Sequence, residues 1–346
     1  MSLHSDADIV PVLGVALTAR AALALFESKH ETAFRLFNGF YEGFPKLVVE
    51  LYARTLVLHD YASATVASSD RIHFVTAIHE FVRDQLRWIR AVLWKRHRSF
   101  ALSDQQGIIL YGERLDRHLR EHGVRYTIDL QMHGDASFYL DTRNLRTWAL
   151  QHLAGKSVLN AFAYTGSLGV AATAARASRV VHLDHNRLFL NLAKDSYSLN
   201  GFPIRKADFQ VGDFWTQINV LKRQGERFDC VFLDPPFFSA TSKGTVDLLT
   251  RSHRVINKVR PLINDGGYLV TINNALFVSG TAYLQVLEEL CADGYLAIEE
   301  LVPVPPDCTG YPQTIVSVPP TDPAPFNHPT KIAVLRVRRK SPALIE

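Results

Sequence analysis

From Ser157 onward the chain alternates short apolar or β-branched runs with stretches of helical period, and this alternation limits its fold more than any other feature of its 346 residues. Strands that alternate with helices are joined by crossovers, and crossovers produce a parallel sheet covered on both faces. The strand expectations are Ser157 to Phe162, Arg179 to Asp184, Asp208 to Gly212, Phe228 to Leu233 and Tyr268 to Asn273, then a last pair near Ala297 to Val302 and Ile332 to Val337. Seven such strands make a doubly wound α/β sheet, in which ligands bind beyond the carboxyl ends of the strands.

The chain ahead of this region reads differently. Residues 1–30 read as a helical extension, and 31–136 as a smaller α+β domain, a possible RNA-binding or substrate domain, before a main domain over 137–346. Lys46 to Leu51 and Thr55 to Asp60 are β-rich runs separated by a short turn, as in a hairpin. Between Asp70 and Arg90 the apolar residues Val75, Ile78, Val82, Leu86 and Ile89 recur at helical spacing, so one face of that helix is buried. A strand over Ala91 to Trp94 then runs into Lys95, Arg96, His97 and Arg98. With Trp88 and Trp94, this cluster combines charge for phosphates with rings for stacking. The alternative is a solvated face plus a structural tryptophan.

Hydrophobic residues are 47% and charged residues 21% of the chain, the balance of an ordinary folded protein. The most apolar early stretch, Val15 to Phe26, is short and broken by Arg20, so neither a membrane span nor a signal peptide is expected. Cys230, Cys291 and Cys308 show no CxxC spacing, which argues against disulfides and bound metal and for a cytoplasmic location. The net charge of +4 is compatible with a nucleic-acid partner without establishing one, and nothing sets the oligomeric state. Residues 302–330 hold nine of the sixteen prolines, too long a connection for a simple turn, and read as a lid, a substrate loop or a surface wrap.

Four expected strand ends carry distinctive residues. VLNAFAYTGSLGVAA runs from a strand through Gly166 and Gly169 into a helix; Gly166 lets the backbone approach a ligand and Gly169 lets helix and strand pack closely. VVHLD places Asp184 where a carboxylate reaches ribose hydroxyls, with a helix N-cap as the alternative role. QVGDF offers Asp213 to an adenine amino group, or an ordinary turn aspartate. FDCVFLDPPFF ends in Asp234, Pro235, Pro236 and Phe237: two prolines stiffen the backbone and leave carbonyls free, Phe237 offers a ring, and Asp234 accepts from an amino or amide hydrogen. A nicotinamide dehydrogenase has no need of DPPF, and the first turn lacks the full GxGxxG of diphosphate cofactors. The four ends together point to S-adenosylmethionine, which has no phosphate.

Residues 31–340 resemble the large-subunit rRNA base methyltransferases of the cytosine-C5 and guanine-N7 kinds, through NGFYEGFPKLVVELYARTLVL, FYLDTRNLR, LNAFAYTGSLGV, LDPPFF and GGYLVTINN. The resemblance implies a Rossmann-like, seven-stranded class I methyltransferase domain behind a smaller α+β domain, S-adenosylmethionine as cofactor, and RNA as partner. It implies that Phe138, Tyr139, Asp141 and Arg143 border cofactor and acceptor, and that Asn160, Phe162, Tyr164 and Gly166 form the floor. Arg143 then pairs with the methionine carboxylate or an RNA phosphate, the alternative being a surface salt bridge. Two departures stand out. Enzymes of the cytosine kind begin with a PUA domain, for which the stretch before residue 31 is too short. They also use a cysteine in a serine-cysteine-serine run after the fifth strand, where this chain has Ile272, Asn273, Asn274 and Ala275. The paired asparagines resemble the guanine-N7 enzymes, so attack by a ring nitrogen is expected, with Asn273 or Asn274 reading a base edge. The competing expectations are methylation of a small molecule or protein side chain, and a cofactor-binding scaffold without catalysis.

Overall fold

The computed structural model describes residues 9–21, 29–65, 68–132, 136–241, 243–249 and 251–339. Contacts divide the chain into two units: Met1–Asp141 with Pro305–Pro319, and Thr142–Val304 with Pro320–Glu346.

The first unit is built on a five-stranded sheet: β1 (Ala33–Asn38), β2 (Leu47–Tyr52), β3 (Thr55–Asp60), β4 (Ala91–Arg96) and β5 (Ile108–Tyr111), in that spatial order. The β2–β3 hairpin falls where the sequence placed it. β3 and β4 are parallel because the long helix α3 (Ser68–Gln85) connects them. The expected apolar face of this helix is buried at Val75, Ile78 and Val82, and packs with Ile9, Leu13 and Leu17 of α1 (Ile9–Ala21) over one face of the sheet. Short helices α2 (Gly39–Glu42) and α4 (Leu102–Gln106) and a hairpin, β6 (His118–Glu121) with β7 (Val124–Thr127), complete the unit's N-terminal part.

Side chains alternate across a strand, so the other face of this sheet receives Arg35, Glu50, His59 and Lys95. Glu50, His59 and Lys95 are buried and Arg35 is half-buried, each with a partner. Glu50 Oε1 accepts from Arg35 Nε (2.9 Å) and Nη2 (2.7 Å), while Oε2 accepts from the Tyr52 hydroxyl (2.7 Å) and lies 3.0 Å from His59 Nε2. Burial alone would raise the Glu50 carboxyl; Arg35 above all, then His59 and Tyr52, outweigh it and hold the group well below its ordinary range. Lys95 donates to the carbonyls of Leu130 (2.8 Å) and Met132 (2.9 Å).

This burial dismantles the expected nucleic-acid cluster at Lys95 to Arg98. Lys95 and Trp94 are inside, the Trp94 indole faces Asp60 (3.3 Å), and Arg96 pairs with Asp104 (3.2 Å). Trp88 stacks on His30 at 4.0 Å. Trp94 is structural, as the alternative had it, but Lys95 lies on no solvated face: the strand runs two residues further than expected and turns it inward.

The proline-rich connection is not a free lid. Its first half forms α11 (Pro306–Thr309) and packs on β1. Asp307 Oδ2 accepts from the Arg35 amide (2.9 Å), its carbonyl accepts from Arg20 Nη2 (3.0 Å), and the Cys308 carbonyl accepts from Asn38 Nδ2 (2.6 Å). Arg20 in turn forms a fully buried ion pair with Glu42, 3.0 Å long.

The second unit holds all seven expected strands: β8 (Ser157–Ala161), β9 (Arg179–Asp184), β10 (Phe209–Val211), β11 (Phe228–Leu233), β14 (Ile263–Asn273), β15 (Leu296–Leu301) and β16 (Lys331–Val337). Their spatial order is β10-β9-β8-β11-β14-β16-β15, parallel except for β16, which runs antiparallel to both neighbours. Helices α5 (Arg143–His152), α6 (Ser167–Ala174), α7 (Arg187–Leu199), α8 (Phe214–Arg223), α9 (Ser252–Val259) and α10 (Gly280–Cys291) supply the connections. A small hairpin, β12 (Phe238–Thr241) with β13 (Gly244–Asp247), follows β11. The order reverses between β8 and β11, and at such a switch point a crevice opens at the carboxyl ends of the strands. No helix of the described residues is long and apolar enough to cross a membrane.

Candidate functional site

Phe162, Asp184 and Gly212 stand at or just past the carboxyl ends of β8, β9 and β10, and wall a cavity of about 290 Å³. Its remaining walls are mainly apolar: Leu183, Phe214, Trp215 and Val246. Apolar walls with a few directed polar groups, at a volume near the lower end of about 300–1,000 Å³, are usual for a small-molecule site.

The floor is a tight turn. Phe162, Tyr164 and Gly166 all have left-handed backbone, with φ of 57°, 49° and 81°. Only one of the three is glycine, so the turn stores strain at Phe162 and Tyr164 of order 1–3 kcal/mol each. Asp184 braces it: Oδ2 accepts from the Tyr164 amide (2.8 Å) and Oδ1 from the Asn186 amide (2.9 Å). A carboxylate has about four acceptor positions; two are taken by these amides and Oδ1 also lies 3.4 Å from Nδ1 of the exposed His185, which leaves Oδ2 the freer oxygen for a ligand hydroxyl. The cap of α7 is Asn186, which accepts from the Leu188 amide (2.9 Å); the helix-cap alternative for Asp184 therefore belongs to its neighbour. Asp213 does cap a helix, its Oδ1 accepting from the Thr216 amide and hydroxyl at 3.0 Å each, while it also lines the cavity.

Beneath the turn lies a residue the sequence reading passed over. His182 is buried on β9, two residues before Asp184, and its ring fills the space under Gly166 and Gly169. A Cβ on Gly169 would stand 2.3 Å from His182 Cε1, and one on Gly166 would stand 2.6 Å from the Ala193 Cβ. Both glycines are therefore demanded by packing. His182 Nε2 lies 3.0 Å from the Tyr197 hydroxyl, and Nδ1 lies 3.5 Å from Asn160 Nδ2. Burial pulls the ring's pKa down to about 3, so it is neutral. Asn160 is accordingly part of the floor from below, buried in β8. The signal for His182 was present in VVHLD, since residues two apart on a strand share a face. Trp215, also missed, lies against the β12–β13 hairpin, where a Cβ on Gly244 would come within 2.6 Å of its ring.

The neighbouring strand ends carry the DPPF segment and the paired asparagines. Asp234 is half-buried, Pro235 is buried, and Pro236 and Phe237 are exposed. Asn273 departs from expectation. It is fully buried, its Nδ2 donates to the Leu248 carbonyl (3.3 Å) and its Oδ1 accepts from the Ala275 amide (3.0 Å). Both ends of its amide are committed to the backbone, so it braces the loop and reads no base edge. Asn274 is the exposed member of the pair. Lys331 reinforces the brace by donating to the Ala275 carbonyl (3.0 Å), and burial lowers its pKa to about 8.

Of the residues named by resemblance, Arg143 opens α5 in the second unit, half-buried. Phe138, Tyr139 and Asp141 belong to the first unit. There the Phe138 carbonyl accepts from the Tyr52 hydroxyl (3.2 Å), Tyr139 is exposed, and Asp141 lies close enough to Arg35 to raise its pKa.

The second unit thus has the sheet of a Rossmann-like domain with a cavity at the carboxyl ends of its strands. The pattern of the S-adenosylmethionine-dependent methyltransferases matches residues 66–308, and the chain belongs to that family, with S-adenosylmethionine as its cofactor. It is similar to Ribosomal RNA large subunit methyltransferase I of Erwinia tasmaniensis, 27% identical over 270 residues that cover 77% of this chain and 67% of the relative. The protein of the same name from Aliivibrio fischeri strain MJ11 is 28% identical over 271 residues, 78% of this chain and 67% of the relative. Among solved structures, an S-adenosylmethionine-dependent methyltransferase from Streptococcus mutans shares the fold over 97% of this chain and 83% of its own, with a TM-score of 0.79 and 19% identity.

Proposed function

We propose that the chain methylates a base of ribosomal RNA, at a ring nitrogen. The observation that carries this reading is one set of strand ends in the second unit: a cavity with a buried Asp184 partly held by backbone amides, flanked by the half-buried Asp234, the exposed Pro236 and Phe237, and the exposed Asn274. The names borne by the relatives support RNA as the acceptor.

S-adenosylmethionine supplies a methyl group already activated for attack. The protein's task is then alignment and exclusion of water. Asp184 accepts the ribose hydroxyls, and Phe162, Phe214 and Trp215 enclose the adenine. Asp213, already capping α8, faces the adenine amino group. Asp234, framed by Pro235 and Pro236, accepts from the amino edge of the target base, Phe237 stacks on it, and Asn274 reads a second edge. Arg143, at the start of α5, pairs with the methionine carboxylate or an RNA phosphate, as the family resemblance implies. A target within a helix is flipped out before it reaches these groups. A cytoplasmic location accompanies this reading.

A ring nitrogen attacks without covalent help, whereas cytosine C5 requires a thiol. Cys230 is fully buried in β11, its thiol pushed far up by burial; Cys291 lies in α10, and Cys308 is fully buried in the first unit. Mass spectrometry of rRNA nucleosides from cells lacking the protein tests the proposal. One N-methylated base should vanish; an unchanged nucleoside profile would refute the RNA reading, and loss of a 5-methylcytidine would refute the ring nitrogen.

A further inference from the structure

The loops beyond β11 and β14 expose more aromatic surface than the target base alone can use. Phe238 is 61% exposed and Phe277 is 69% exposed, beside Phe237, Leu249 and Leu276, each between 41% and 46%. A folded chain seldom leaves rings of this size in water without a partner for them.

These side chains stand on a braced frame. β11 and β14 are adjacent and parallel, so the DPPF segment and the 274–277 loop leave the sheet side by side. The Leu248 amide donates to the Phe237 carbonyl (3.1 Å) and the Leu248 carbonyl accepts from Asn273, which ties the hairpin to the end of β14. Lys331 anchors the Ala275 carbonyl from below. The rings are thus presented by a fixed backbone, which lowers the entropy lost when something settles on them.

The charge nearby selects the occupant. From Leu248 to Asn264 the sequence contains Arg251, Arg254, Lys258 and Arg260 and no acidic residue. Lys258 donates to Asn219 and Arg260 pairs with Asp293, whereas Arg251 and Arg254 are exposed and their guanidinium groups have no partner among the described residues. Planar apolar faces beside unneutralised cations match a single-stranded polyanion whose bases are unstacked.

We infer that Phe238 and Phe277 form a stacking surface for unpaired nucleotides flanking the methylated base, with Arg251 and Arg254 holding their phosphates. This rests on RNA being the acceptor. It adds an interaction surface outside the cofactor cavity, and explains why the first phenylalanine of DPPFF is followed by a second.

The test uses the full chain, a fluorescein-labelled unstructured RNA 12-mer, and protein-free large-subunit rRNA from cells lacking the protein. Both rings lie outside the core, so Phe238→Ala and Phe277→Ala should leave cofactor affinity and unfolding unchanged. Each should raise the KM for rRNA about 5- to 150-fold, the range for losing one stacked base. Phe277→Trp should retain wild-type KM while Phe277→Leu should not, which separates stacking from simple burial. Arg251→Ala with Arg254→Ala should reduce the steepness of the log–log salt dependence of 12-mer binding by about 1.4. Wild-type KM and 12-mer affinity in the double phenylalanine variant, with the wild-type enzyme methylating rRNA, would overturn this inference alone. So would a change confined to self-association in sedimentation, which would make the surface a protein interface. Failure of the wild-type enzyme to bind or methylate any RNA would instead remove the acceptor reading, and this surface with it.

Discussion

Replacing Gly169 by alanine turns the packing under the 162–166 turn into a measurement whose sign is informative. Gly169 lies inside α6 with ordinary helical backbone, and alanine in a helix interior is normally favoured over glycine by about 1 kcal/mol. The new Cβ, however, would lie 2.3, 2.9 and 3.0 Å from three ring atoms of His182. That ring is held in place, stacked on Phe209 at 4.9 Å and bonded to Tyr197, so it has no free direction of retreat. Overpacking of this kind costs about 1–3 kcal/mol, and losing the Tyr197 hydrogen bond costs about 1 kcal/mol more. The expected net effect is destabilisation of the second unit by about 1–3 kcal/mol, read by amide exchange of β8, β9 and α6 because a chain of two units does not unfold in a single step. The 163–166 turn shifts with α6, so cofactor affinity by calorimetry should fall as well. His182→Ala alone should destabilise by leaving a cavity. Combined with Gly169→Ala it should cost at least about 1 kcal/mol less than the two losses together, since the methyl group enters the vacated space. Stabilisation by Gly169→Ala, or strict additivity in the pair, would refute this account of why the glycine is there.

Asp184→Ala should weaken S-adenosylmethionine binding by about 1.5–3 kcal/mol, the loss expected for hydrogen bonds to a charged acceptor, with unaltered calorimetric affinity counting against its role. In the first unit, Glu50→Ala leaves the half-buried Arg35 guanidinium without its counter-charge and should cost about 1.5–3 kcal/mol by chemical denaturation. The Glu50 carboxyl titrates below its ordinary 4.5 in the folded chain, so the unfolded chain binds the proton first; the stability it contributes is complete above about pH 5 and lost as pH falls through the depressed folded value. Glu50→Gln should flatten that acid limb of the stability profile, and an unchanged slope would show that the pairing is weak. Cys308→Ser should retain methyl transfer, because no thiol takes part; normal cofactor binding with abolished transfer would restore a covalent route.

What could be read from the sequence was what depends on local pattern. Periodicity placed all seven strands of the second unit and the buried face of α3, because alternation and helical spacing report directly on which side of an element meets the core. The position of Asp184 and of Asp234 at the carboxyl ends of strands was legible for the same reason. Three readings required contacts between distant residues and were out of reach. Lys95 looks like surface charge until the Leu130 and Met132 carbonyls are seen to receive it. Asn273 looks available until Leu248 and Ala275 take both ends of its amide. His182 looks like an ordinary strand residue until two glycines, 13 and 16 positions earlier, turn out to be shaped around it.

The first unit borrows Pro305–Pro319 from a connection between the last two strands of the second, and this has a consequence during synthesis. Growing chains ordinarily settle their N-terminal domains first. Here the Arg35 amide, the Asn38 side chain and part of Arg20 wait for Asp307 and Cys308, made some 270 or more residues later. The unit whose sheet is made first is therefore finished only after most of the second has been synthesised, and a chain cut short before residue 305 would lack the segment that packs on β1.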